Sequence, residues 1–116
     1  QFAVENGSAG QEELDRLGYS YTPVQDQATA LMEVAAGTSD AAVVDYLMAA
    51  AMTGEGTSYE DLAYTVQLNS EEYGVGFRKG SDLAEAFNNF WKEAYDAGTV
   101  METAKTYGVQ ESVIEK

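Results

Sequence analysis

Apolar residues fall in short clusters separated by glycines, and the clusters alternate between strand-like runs and helical spacing. Phe2-Ala3-Val4-Glu5 reads as a strand that stops at the turn dipeptide Asn6-Gly7. Ser8-Ala9-Gly10-Gln11 fits a capping box, with Ser8 as N-cap and Gln11 at the third helical position. The short helix carries Leu14 and Leu17 and ends at Gly18. Tyr19 to Val24 reads as a second strand, placed at an edge by Pro23. Asp26 is a good N-cap for a helix over 27–36, with Ala28, Leu31, Met32 and Ala35 forming one apolar face and Gly37 ending it. Ala41-Ala42-Val43-Val44 lies between Asp40 and Asp45, and four apolar residues so framed suit a buried strand of a parallel sheet. A third helix runs from Tyr46 to about Met52 and closes at Gly54.

Strand and helix alternating at this spacing imply right-handed crossovers. The expected class is α/β, a mostly parallel sheet flanked by helices. Leu62 to Leu68 and Glu72 to Lys79 read as two further strands. A long helix follows Gly80-Ser81-Asp82, with Asp82 and Glu85 as a capping box and Leu83, Phe87, Phe90, Trp91 and Ala94 as its apolar face. Gly98 breaks it, and a last helix carries Val100, Met101, Ala104 and Tyr107.

Composition then removes chemistry. The chain has 116 residues, the size of one domain, and 45% of them are hydrophobic, enough for a core. Six Lys and Arg against 20 Asp and Glu give a net charge of −14, which argues against nucleic acid and anionic membranes as partners. Without histidine or cysteine there is no Ser–His or Cys–His catalysis, no disulfide and no thiolate or imidazole metal ligand. No EF-hand pattern occurs, so neither a metal nor a cofactor is expected. No apolar run is long enough to span a bilayer, and the N-terminus lacks the features of a signal peptide. It begins without Met and runs straight into a strand, which suggests a piece cut from a longer protein. Asn6-Gly7-Ser8 matches a glycosylation sequon, a tripeptide common by chance. Gly74-Val75-Gly76 lies within an expected strand and opens no helix, so it is not a dinucleotide loop.

Four stretches together are more specific. They are Phe2 to Gly10; the helix leading into Ala36-Gly37-Thr38-Ser39-Asp40-Ala41-Ala42-Val43-Val44-Asp45; Glu72 to Ser81 (EYGVGFRKGS); and Ala84 to Gly108 with Asp96-Ala97-Gly98-Thr99 between its helices. In this order, the chain resembles the C-terminal half of an amino-acid solute-binding protein of ABC importers, the polar amino-acid class of type II periplasmic binding proteins. That family clamps its ligand between two α/β lobes. The resemblance implies that residues 1–71 form ligand-binding lobe 2, that 72–80 form the crossover or hinge strand, and that 81–116 are C-terminal helices that pack on lobe 1. Most of lobe 1 would be missing, including the arginine that pairs with the ligand's α-carboxylate in the family.

Gly7-Ser8-Ala9-Gly10 joins a strand end to a helix N-terminus, where amides and the helix dipole favour an anion. The resemblance implies that Gly7, Ser8 and Ala9 meet the ligand's α-carboxylate through the Ser8 hydroxyl and the Ala9 amide. Read alone, Ser8 is a helix cap. Asp45 would receive the α-ammonium as a charge-assisted pair; read alone, it caps the helix starting at Tyr46. Glu5 stands where some relatives carry a lysine, and an acid there suits a neutral or basic ligand. Val44 replaces a polar residue of some relatives and offers only apolar contact, while Tyr46 is placed to line the cleft or to pack. The implied function is amino-acid binding by hinge closure and delivery to an ABC permease, with no reaction, in the periplasm or at the outer face of a lipid-anchored cell. Two other classes compete. One is a small dehydratase on the same fold, with Glu5 and Asp45 as the only obvious acid–base groups. The other is an isolated lobe that forms a homodimer through its exposed C-terminal helices, by exchange at 72–80.

Overall fold

The structure is a computed structural model that describes residues 1–115. It divides into two compact units, Gln1–Glu71 and Glu72–Lys116. The first contains β1 (Phe2–Glu5), α1 (Ala9–Leu17), β2 (Tyr21–Val24), α2 (Gln27–Ala35), β3 (Ala41–Val43) and α3 (Tyr46–Met52). The three strands form a parallel sheet in the order β2-β1-β3, with Val4 opposite both Pro23 and Val43. Pro23 therefore sits on an edge strand, where its missing N–H costs no ladder bond.

Leaving β1, the chain crosses to β2 through α1, then returns past β1 to β3 through α2. Two right-handed crossovers in opposite directions put α1 and α2 on opposite faces. Burial agrees. Ala3 and Val4 are sequence neighbours, so they point to opposite faces, yet both are fully buried. Val4 lies beneath α1, where Gly10 allows close approach: a β-carbon at Gly10 would stand 2.8 Å from Val43 Cγ1 and 3.3 Å from Val4 Cγ2. Leu14, one turn along α1, is 1% exposed and completes this side of the core. Burying side chains of the size of Val4 and Leu14 contributes about 1.5–3 kcal/mol each.

Local signals set most helix ends. Ser8 caps α1 through its hydroxyl, and Asp26 caps α2 by accepting from the Thr29 amide at 2.7 Å. Gly18 and Gly37 take the left-handed conformation just past the two helices. The face of α2 differs from the one its periodicity predicts. Ala30 and Leu31 are buried and Gln27 and Val34 half-buried, whereas Ala28, Met32 and Ala35 are exposed. Six of its nine residues are apolar, so the apolar face is wide enough to fit two registers. Packing on β1 and β3, with the Gln27 amide turned inward to a backbone partner, selects the other one.

The strands expected at 62–68 and 72–79 are not formed. Residues 62–78 carry no turn or bend and join no β-ladder. Their alternation fits a strand, but a strand exists only when a neighbour takes its N–H and C=O groups. The second unit consists of this segment's end, α4 (Leu83–Asp96), α5 (Thr99–Thr106) and a short 3-10 turn, Gln110–Ser112. Asp82 precedes α4 in a helical conformation and makes no capping bond. Ser81 takes that part, its hydroxyl accepting from the Leu83 amide at 3.2 Å. On α4, Phe87 stacks on Trp91 and meets Phe77, with ring centres 6.4 and 5.8 Å apart. Leu83 and Phe90, expected on its packed face, are exposed.

Replacing Gly10 by alanine is expected to cost about 1–3 kcal/mol, read as a lower urea midpoint with an unchanged slope. Asp26 tests the caps by pH. The Thr29 amide holds its carboxyl below the ordinary value of 3.8. A depressed carboxylate stabilises the fold above its unfolded pKa, and the contribution is lost as pH falls through the folded one. Asp26→Ala should therefore be less stable than the parent at pH 7, with the difference narrowing below pH 3.8.

Candidate functional site

With the strand order β2-β1-β3, the progression of the chain across the sheet reverses between β1 and β3. The crevice at the carboxyl ends of two such strands is where open α/β sheets bind ligands. Two loops lie at that edge, Glu5 to Ser8 after β1 and Val44 to Tyr46 after β3. The fold thus brings Glu5, Gly7, Ser8, Ala9, Val44, Asp45 and Tyr46 to one edge of the sheet. Gly10 keeps the two loops close, because it lets the first turn of α1 rest on Val43 at the end of β3.

The first loop is a tight turn. The Ser8 amide donates to the Glu5 carbonyl at 3.2 Å, and Gly7 sits at φ +75°, a conformation open to glycine. The expected capping box forms with one change. Ser8 Oγ accepts from the Gln11 amide at 3.2 Å, but the Gln11 carboxamide oxygen accepts from Gly7 N–H rather than from Ser8. Gln11 Nε2 then donates to Tyr21 Oη at 2.9 Å, and that hydroxyl donates to Asp15 Oδ1 at 2.8 Å. A side-chain relay from β2 therefore fixes the loop. The Gly7 and Ser8 amides are spent inside it. Among the described residues, the Ala9 and Gly10 amides donate to no acceptor, as expected of the first turn of a helix.

Asp45 caps α3, its Oδ1 accepting from the Leu47 amide at 2.8 Å. Its own amide donates to Gln27 Oε1 at 2.7 Å, so the start of α2 steadies the second loop. A carboxylate has about four acceptor sites, and the cap uses at least one of them. Glu5, Val44 and Asp45 are half-buried. Tyr46 is half-exposed and packs edge-to-face against Tyr64, with centres 5.5 Å apart.

Charge at this edge is one-sided. Arg16 is the sole Lys or Arg among residues 1–71. It lies in the last turn of α1, at the end of the helix away from Ser8, and pairs with Glu13 at 2.6 Å. The Gln1 ammonium is held by Asp40 at 2.7 Å, at the amino ends of the strands. Asp40 is thus a turn residue outside the site. Three contributors escape a reading of the sequence: Gly10, Gln11 as a brace for Gly7, and Gln27. Two have a faint signal. Gly10 is a glycine inside a first helical turn, and Gln27 is a polar residue at the head of an apolar helix.

Ser8→Ala is expected to destabilise the chain by about 1 kcal/mol through loss of the cap, and Ser8→Gly by only a few tenths, measured by thermal or urea unfolding. No family model, curated protein or solved structure matches this chain.

Proposed function

We propose that this chain is a ligand-binding lobe for a polar amino acid and serves uptake through an ABC permease, outside the cytoplasmic membrane, as its resemblance to amino-acid solute-binding proteins implies. One observation carries the reading. The Ala9 and Gly10 amides, with no acceptor, stand at the positive end of α1, at the sheet edge from which α3 and its cap Asp45 also start. An α-amino acid carries the matching pair of groups on adjacent atoms. Its carboxylate takes the Ala9 amide and the Ser8 hydroxyl, which keeps a proton to donate while accepting from Gln11. Its ammonium takes Asp45. Glu5 and the absence of a nearby cation favour a neutral or basic side chain over an acidic one.

In this reading the residues act by binding and orientation, and no reaction is assigned. Lobe 2 forms one wall of the cleft, residues 72–80 are the crossover strand, and the helices of 81–116 pack on the other lobe. Hinge closure then buries the ligand. One wall alone binds weakly, so calorimetry on this chain should show no micromolar amino-acid binding. Amide NMR should still register millimolar binding as shifts at Ala9 and Gly10. Asp45→Asn keeps a good helix cap but loses the charge, so it should abolish those shifts without unfolding the unit. Ala9 and Gly10 amides that stay unmoved by any amino acid at tens of millimolar would sink the reading.

A further inference from the structure

The segment Glu72-Tyr73-Gly74-Val75-Gly76-Phe77-Arg78 reads nearly the same in both directions by chemistry: acid, aromatic, glycine, valine, glycine, aromatic, base. We propose that, in a chain standing without the other lobe, it is a self-pairing strand through which two copies of this chain join as an antiparallel ribbon about a two-fold axis at Val75. A two-fold antiparallel pair places residues whose numbers have a constant even sum opposite each other. Centred on Val75, it sets Glu72 against Arg78 of the second copy, Tyr73 against Phe77, Gly74 against Gly76, and Val75 against itself. Each charged pair is of opposite sign and occurs twice. Opposite charges and aromatic pairs are the cross-strand partners that stabilise antiparallel sheets, and like charges directly opposite are the ones that break them. Pairing in this register creates no like-charged pair.

The conformation of the segment is already suitable. Residues 72–78 run without turn or bend. Gly74 and Gly76 avoid the left-handed region that eight other glycines of the chain adopt, and neither has a neighbour where a β-carbon would point. The two faces of the strand also differ. Tyr73, Val75 and Phe77 share one face, and Glu72, Gly74, Gly76 and Arg78 the other. Tyr73 is 80% and Val75 61% exposed, and Phe77 packs on Phe87 of α4. The apolar face is thus the one α4 begins to cover. In the ribbon, Tyr73 of each copy stands beside Phe77 of the other and so reaches that aromatic cluster. A bare two-stranded ribbon is marginal in water, and a helix against its apolar face is what such a ribbon needs.

The first test is a concentration series of the intact chain by sedimentation or light scattering, with a dimer of twice 12.5 kDa expected. Arg78→Glu sets Glu against Glu72 at both ends and should weaken the dimer about tenfold, with the helical circular dichroism unchanged. Combining it with Glu72→Arg should restore the parent affinity within about twofold, since the swap re-forms both pairs. The chain has no cysteine, so Val75→Cys carries a single thiol. Facing α-carbons about 4.5–5.5 Å apart lie within disulfide reach, and mild oxidation should link the two copies. Lys79→Cys, four residues off the axis, should stay unlinked under the same conditions. A chain that remains monomeric, a dimer indifferent to Arg78→Glu, an unrescued double swap, equal cross-linking at 75 and 79, or open-ended aggregates would each overturn the proposal. Of these, a dimer indifferent to the charges points instead to the apolar groove between α4 and α5, lined by Phe90, Val100 and Tyr107.

Discussion

The approach of α1 to the boundary between β1 and β3 governs the first unit, and Gly10 makes that approach possible. A methyl group there would meet Val43 at 2.8 Å, a distance that carbon atoms do not tolerate, so the helix would have to lift from the sheet. Three features depend on the contact. Val4 is sealed completely because the helix backbone lies directly above it. The loop after β1 is held against the end of β3, which puts Ser8 and Asp45 on one edge. The Ala9 and Gly10 amides stand at the switch in strand order between β1 and β3. Core packing and site geometry are therefore one constraint at this position.

Electrostatics play a different part. The strongly acidic balance is carried on the surface, and the ion pairs Arg16–Glu13, Lys92–Asp96 and Gln1–Asp40 all include an exposed partner. Exposed pairs contribute about 0–1 kcal/mol each, so the fold does not rest on them. Asp26 is held below the ordinary carboxylate range by a backbone amide, which favours the fold at neutral pH and fades in acid. In the proposed function the same field would act on the ligand: with Arg16 distant and engaged, an ammonium would meet the Glu5 and Asp45 carboxylates, and a carboxylate only backbone amides and a hydroxyl.

What the sequence made legible was local. Phe2–Glu5, the caps at Ser8 and Asp26, the glycine stops and the edge role of Pro23 all follow from interactions within a few residues, and they imply the α/β class through the crossover rule. Features set by distant partners were less legible. Which side of α2 turns inward depends on the sheet and on Gln27 reaching Asp45, because the helix pattern alone fits two registers. Residues 62–79 have strand-like alternation, but nothing in the pattern says whether a neighbour is present. Asp82 was the expected cap of α4, but it makes no capping bond, and Ser81 takes that part. At the candidate site, the joint role of the Ser8 loop and Asp45 came from the family resemblance, and the strand order places both at one edge of the sheet. The bracing of Gly7 by Gln11 and Tyr21 was not legible, since it joins groups brought together only by folding.

The second unit raises a question of stability that its own contacts do not answer. Among its described residues only Ala104 is buried, and α4 buries none over fourteen residues. A helix of that length is marginal alone in water. Its ion pair is weakly placed, since Lys92 precedes Asp96 and the acid lies at the negative end of the helix dipole. The contacts among Phe77, Phe87 and Trp91 add about 0.5–1.5 kcal/mol per pair, less than the entropy of ordering the helix. The free energy that fixes α4 must come from covering its apolar side, and Phe77 shows where covering begins. Ordering of this unit and occupation of its apolar face are therefore coupled. Any partner that seals Tyr73, Val75 and Phe77 against α4 supplies folding free energy as well as binding free energy, and the apparent stability of the unit rises with the concentration of that partner.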